Sequence, residues 1–268
     1  MAEELIRIND DGGVRTITFN RPDVLNAFST PLLKVLGRAV RGAEKDKGVR
    51  CLVLTGAGRA FCSGQDLAEV KDKYGSDEPL ELGAQLRDFY NPIILRLRTM
   101  EKPVVASVNG VAAGAGCSFA LAGDYRIAAE SATFILSFVH VGLVPDCGGT
   151  FTLPRLVGPA RAFEISCTGR KVKADEALVI GMVNAVVPDD QLAEATGKIS
   201  KKLASMPPAA VALTKRAINA AWTNDLATHL DYEAMLQTTA GKTEDHVEGV
   251  RAFLEKRKPV WAHDRSEG

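Results

Sequence analysis

Twice in this chain a run of mostly apolar, β-rich residues ends in a glycine-rich loop and then a short helical signal, and this repetition constrains the fold most. Residues 49–55 are bounded by Gly48 and Gly56 and lead toward Gly64. Residues 103–108 lead through Asn109 and Gly110 to Gly114, Ala115 and Gly116, after which residues 117–122 are short and apolar. Strands apolar on both faces belong to parallel sheets covered by helices. If the two strands are neighbours, the backbone N–H groups freed at the two loops converge. Two such donors stabilise an oxyanion without using any side chain. The same glycines equally suit tight turns alone.

The flanking segments complete an α/β pattern. Residues 5–8 and 14–19 read as strands around a turn at 10–13, with alternation of period two in the second. Ser29 and Pro31 open a helix carried by Leu32, Leu33, Val35, Leu36, Ala39 and Val40 as far as Gly42. Residues 125–128, 133–138 and 183–187 suit strands, and residues 159–168 and 174–180 suit helices. From Pro207 onward, residues 209–222 and 226–256 carry no strand signal. A core over residues 1–205 and a helical C-terminal segment over 206–268 are therefore expected. The stretch from Glu69 to Asp88 is polar and irregular in its first half, a candidate mobile pocket wall.

Lys plus Arg number 33 against 33 for Asp plus Glu, so no overall field draws the chain to nucleic acid or an anionic membrane. No run approaches 18 apolar residues, which argues against a spanning helix. The five cysteines, Cys51, Cys62, Cys117, Cys147 and Cys167, form no C-x-x-C pair and read as reduced core thiols. Met1 to Leu5 lack the basic and apolar regions of a signal peptide, and the expected location is cytoplasmic. Several motifs fail. The dinucleotide fingerprint needs Gly or Ala where Phe119 stands, the P-loop needs Gly where Leu236 stands, and Gly116 to Ala120 lacks the last glycine of a hydrolase elbow. No metal-ligand spacing occurs.

The residues from Ala60 to Leu67 (Ala-Phe-Cys-Ser-Gly-Gln-Asp-Leu), from Lys102 to Gly110, Gly114-Ala115-Gly116, Asp124, and Gly142-Leu-Val-Pro-Asp146-Cys-Gly-Gly-Thr150 resemble the crotonase (enoyl-CoA hydratase/isomerase) superfamily. Leu25-Asn26-Ala27-Phe28 and Gly249 to Arg257 resemble it too, so the likeness runs through essentially the whole chain. It is closest to the branch of acyl-CoA isomerases that includes the ring-opening isomerase of epoxyphenylacetyl-CoA. The resemblance implies a spiral of ββα turns with a C-terminal helical trimerisation segment, and trimers or hexamers. It also implies an acyl-CoA thioester substrate, with coenzyme A as part of the substrate and no separate cofactor or metal.

Carried over by position, the oxyanion donors are the N–H groups of Gln65 and Ala115. The resemblance places coenzyme A near Asn26, Ala27, Ala60, Ser63, Asp66 and Leu67, with Gly114, Ser118 and Phe138 beside the acyl group. The family's hydratases use two glutamates, and the corresponding positions here are Ser118 and Phe138. Neither supplies the acid and base that hydration requires. Asp146 remains as the single acid/base, although a carboxylate before Cys147-Gly-Gly-Thr also suits a helix N-cap. Ser118 reads as a cap of the short helix, and His140 as sharing a strand face with Phe138. Lys256 and Arg257 are candidate phosphate contacts. The expected reaction is acyl-CoA isomerisation through a thioester enolate. The alternatives are an enoyl- or cyclic dienoyl-CoA hydratase and an inactive acyl-CoA-binding scaffold.

Overall fold

A computed structural model describes residues 4–69, 71 and 81–262. The chain divides into two units, one of residues 1–100 and 104–204, the other of residues 101–103 and 205–268.

The first unit is built from strands that come in pairs and part company. β1 (Ile6–Asp11) and β2 (Val14–Phe19) form an antiparallel hairpin, and β2 runs parallel to β3 (Cys51–Gly56). Each following pair then splits between two sheets. β3, β5 (Val104–Val108) and β7 (Tyr125–Ala129) join the large sheet. Their successors β4 (Ala60–Cys62), β6 (Val111–Ala113) and β8 (Thr133–Ile135) lie side by side in a small one. With β9 (Lys171–Lys173) and β10 (Ala185–Val187) added, the orders are β1-β2-β3-β5-β7-β10 and β4-β6-β8-β9. A helix follows each pair, which is the ββα spiral. The loops that carry the candidate donors leave the short second strand of each pair, not the long first one. Three-residue strands among glycines are too brief to show a pattern in the sequence.

The middle strands of the large sheet, β3, β5 and β7, are apolar on both sides because both sides are covered. Leu52 and Leu54 of β3 enter the main core with Leu32, Leu33 and Leu36 of α1 (Thr30–Lys45). Cys51 and Val53 point the other way, into a second cluster with Leu192 and Ala204 of α8 (Leu192–Ala204). Ser29 caps α1 by accepting the Leu32 N–H, and the Glu69 carboxylate accepts the Thr30 N–H at 2.7 Å. α2 (Leu82–Gln85) passes through a π turn (Leu86–Tyr90) into α3 (Asn91–Thr99). α4 (Ala115–Leu121), α5 (Gly149–Val157), α6 (Pro159–Thr168) and α7 (Ala174–Val179) complete the unit. Half of the expected pocket wall, residues 70 and 72–80, lies outside the described residues.

The second unit is helical: α9 (Pro208–Ala220), α10 (Leu226–Gly241) and α11 (Glu244–Leu254). The stretch 226–256 forms two helices, the second capped by Thr243, whose hydroxyl accepts the His246 N–H at 3.2 Å. Among the described residues no helix is long and apolar enough to cross a membrane.

Candidate active site

The small sheet sets the site. Because β4, β6 and β8 are adjacent and parallel, their C-terminal ends deliver Gly64-Gln65, Gly114-Ala115 and then Phe138 to one place. A Cβ built on Gly64 would lie 3.5 Å from the Ala115 nitrogen. One built on Gly114 would lie 3.8 Å from the Gly64 Cα and 4.0 Å from the Phe138 ring. Gly114 has φ +51° and ψ −127°, a conformation that a side chain resists. Among the described residues neither the Gln65 nor the Ala115 N–H has an acceptor. Ala115 opens α4, where the first amides have no intrahelical partner. Gln65 is held at a bridge to Phe28, whose N–H donates to the Gly64 oxygen at 2.7 Å.

The residues expected around coenzyme A divide into those that form the loop and those that brace it. Asn26 is fully buried, and its Nδ2 donates to the carbonyl oxygens of Ala57 at 2.9 Å and Ala60 at 2.8 Å. Ala60 also accepts from Asn109, so its carbonyl is taken up in bracing the loop. Asp66 pairs with Arg21 at 2.8 Å, and Arg21 donates to the Ala27 oxygen at 2.7 Å. Ser63 donates to the Val24 oxygen at 3.3 Å, and Leu67 is exposed. Asn26, Ala27, Ser63, Gln65 and Asp66 are thus one cross-linked segment.

Asp146 follows on the loop that leads into α5. It does not cap that helix: Gly148, at φ +77°, occupies the cap position, and Asp146 stands two residues before it. Its Oδ1 is buried with no partner, while the Cys147 thiol hydrogen-bonds the carboxylate. Burial, the largest cause, raises the Asp146 carboxyl above the usual range, and the Cys147 bond opposes this in part. Cys147 itself sits at φ +51°, a strained conformation for a residue with a side chain. Ser118 does not cap α4 either, since Gly114 holds that position. Its Oγ is buried without a partner, 2.7 Å from where a Cβ on Gly149 would stand.

Two further readings are corrected. Phe138 and His140 share no strand, because the chain turns into a 3₁₀ helix at Ser137–Val141; Phe138 is buried, and the exposed His140 ring bonds the Thr168 carbonyl at 3.0 Å. Cys167 is exposed, unlike the other four free cysteines, because it lies on the outer side of α6. The Arg257 guanidinium is bound at 2.6 Å by each of Glu248 and Glu255. Tyr90, only 2 % exposed, was not singled out from the sequence. Its ring lies against Phe28 and Phe119, and its hydroxyl has no partner. Among the described residues no group of three or more His, Cys, Asp or Glu is arranged to hold a metal.

A ββα spiral that sets the Gly64-Gln65 and Gly114-Ala115 loops side by side, with a buried carboxyl on the loop before α5, defines the class of α/β protein to which this chain belongs. The chain belongs to the enoyl-CoA hydratase/isomerase family, which it matches over residues 9–264. It is 45% identical to the 1,2-epoxyphenylacetyl-CoA isomerase of Escherichia coli K12, over 96% of this chain and 97% of that protein. It is 38% identical to a short-chain-enoyl-CoA hydratase of Clostridium acetobutylicum, over 94% and 95%. The crystal structure of an enoyl-CoA hydratase from Bacillus anthracis superposes with a TM-score of 0.89 at 37% identity, covering 96% of this chain and 99% of that one.

Proposed function

We propose that this protein is an acyl-CoA isomerase that works through a thioester enolate, with Asp146 as its single acid/base. The carrying observation is a buried carboxyl with an unpartnered oxygen, on a loop whose Gly149 packs against Ser118 of α4, while the two positions of the hydratase glutamates hold Ser118 and Phe138. The likeness to an isomerase named for an epoxyphenylacetyl thioester supports the same choice.

The thioester oxygen accepts hydrogen bonds from the Gln65 and Ala115 N–H groups. The Asp146 carboxylate removes a proton from C2, the C–H electron pair moves into the enolate, and the negative charge settles on the thioester oxygen. Asp146, now neutral, returns the proton at C4, and a 3-enoyl thioester becomes a 2-enoyl thioester. With an epoxide next to the enolate, the same electron pair forms a C=C bond as the adjacent C–O bond breaks, and the neutral Asp146 gives its proton to the alkoxide that results. Neither route consumes a metal or redox cofactor. A carboxyl raised by burial is suited to both halves, since the proton is taken and given back. The exposed Phe253, Leu254 and Leu226 of the second unit support assembly as a homotrimer or hexamer.

The test follows deuterium uptake from heavy water and product mass with 3-enoyl-, 2-enoyl- and phenylacetyl-type CoA thioesters. Wild type is expected to exchange deuterium or shift the double bond, and Asp146→Asn to do neither while still binding the thioester. A product heavier by one water makes the protein a hydratase. No change with any thioester makes it an acyl-CoA-binding protein.

A further inference from the structure

Around Asp146 the described residues leave three buried polar atoms without a hydrogen-bond partner: Ser118 Oγ, Asp146 Oδ1 and the Tyr90 hydroxyl. Two of them are complementary, since a phenol donates and a carboxylate oxygen accepts. Each such orphan carries an uncompensated desolvation cost, and native structures keep few of them unless function requires it.

Tyr90 is held where the two loops and the Asp146 segment meet. It closes the π turn Leu86–Tyr90, a distortion that often marks a functional position. Its ring stands 6.2 Å from Phe28, the bridge partner of Gln65, and 6.3 Å from Phe119, the neighbour of Ser118 on α4. One turn further on, Ile94 Cγ2 lies 3.5 Å from the Cβ position of Gly148, so the helix face that carries Tyr90 also meets the Asp146 loop. Upstream, Gln85 accepts from the Gln65 side chain at 3.0 Å, tying the same helical stretch to the first loop. Burial first, and then the charges of Cys147, Asp146, Cys62 and Glu69, push the phenol upward, so it stays protonated and acts as a donor.

We propose that Tyr90 is a positioning residue whose phenol donates a hydrogen bond to Asp146 Oδ1 when the site is occupied, holding the carboxylate toward the carbon it deprotonates. This rests on the reading of Asp146 as the acid/base. Hydrogen bonds of this kind are commonly long in the free enzyme and tighten in the substrate complex. The bond favours the ionised carboxylate and offsets part of the upward push of burial.

The other titratable groups around the pair leave the acidic limb to Asp146. Burial pushes the Cys62 thiol on β4 up to about 12 and the Cys147 thiol higher still. Glu69, beyond the first loop, is engaged by the Thr30 N–H and hydroxyl.

The experiment compares pH profiles of kcat, which report the occupied site, for wild type and Tyr90→Phe, with Asp146→Asn alongside, on whichever thioester the exchange assay shows to react. Phenylalanine keeps the ring packing and removes only the hydroxyl. Tyr90→Phe is expected to lower kcat about tenfold to a hundredfold, as one hydrogen bond to a charged group implies, with KM within about twofold. Its acidic limb moves to higher pH. Placing 3-fluorotyrosine at position 90, a stronger donor of nearly the same size, is expected to move that limb the other way. An inert Asp146→Asn with unmoved limbs in both position-90 variants overturns the role of Tyr90 and leaves that of Asp146 standing. An active Asp146→Asn overturns both.

Discussion

A side chain on Gly64 would stand 3.5 Å from the Ala115 nitrogen and 3.0 Å from the Ala113 carbonyl oxygen, so the two donor loops touch with no room for a methyl between them. Gly64 also has φ +99°, which a residue with a Cβ resists. Gly64→Ala is therefore expected to displace one oxyanion donor and lower kcat on the order of 10²-fold. Initial rates on the reactive thioester check this, and a near wild-type kcat would mean that the Gln65 amide takes no part.

Two other glycines separate crowding from backbone strain. A methyl on Gly116 would meet the Cys62 carbonyl oxygen at 2.3 Å, a backbone atom that cannot step aside. Gly142 has open space around it but a φ of +71°. Gly116→Ala is expected to cost about 3 kcal/mol, and Gly142→Ala about 1 kcal/mol. Urea unfolding midpoints decide, and equal losses at the two sites would contradict the packing around Cys62.

Asn26 is a clamp. It adopts φ +57°, which asparagine tolerates better than most residues, and satisfies Ala57, Ala60 and the Arg21 N–H, the last at 2.9 Å. Asn26→Ala leaves the Ala57 carbonyl and the Arg21 N–H unmatched, Ala60 keeping its bond from Asn109, and a loss of about 3 kcal/mol is expected. Ser63→Ala removes a single bond of 3.3 Å at a partly exposed hydroxyl and should cost well under half of that. A denaturation series on both variants tests the ranking.

The clamp also shows what the sequence could convey. Motif and spacing placed Asn26 beside the first loop, but the direction of its amide depends on an αL turn at Leu25 and Asn26 that no local pattern announces. The same limit applies to Asp146 and Ser118. Both are of capping type, and in both cases a glycine with an unusual φ takes the cap, leaving the polar side chain buried and unpartnered. The long strands β3 and β5 were legible because burial on both faces writes a continuous apolar run. Tyr90 was not, because its position is set by a π turn and by aromatic partners 62 and 29 residues away along the chain, Phe28 and Phe119.

The last prediction concerns the cost of keeping Asp146 buried. Desolvation is the main cause of its raised carboxyl, so the folded protein holds that proton more tightly than the unfolded chain does. Stability from this linkage is complete below the ordinary aspartate value of about 3.9. It is lost as pH rises through the higher folded value. At neutral pH the ionised carboxylate therefore subtracts from stability, whereas an amide, neutral throughout, does not. Asp146→Asn is expected to melt above wild type at neutral pH, with the difference closing as pH falls into the ordinary carboxylate range, while turnover is lost. Thermal unfolding of both proteins across that range measures it. A variant that melts below wild type at neutral pH would mean that the fold itself uses the charge, through a partner such as the Cys147 thiol, and that the carboxylate is not being held in reserve for a substrate proton.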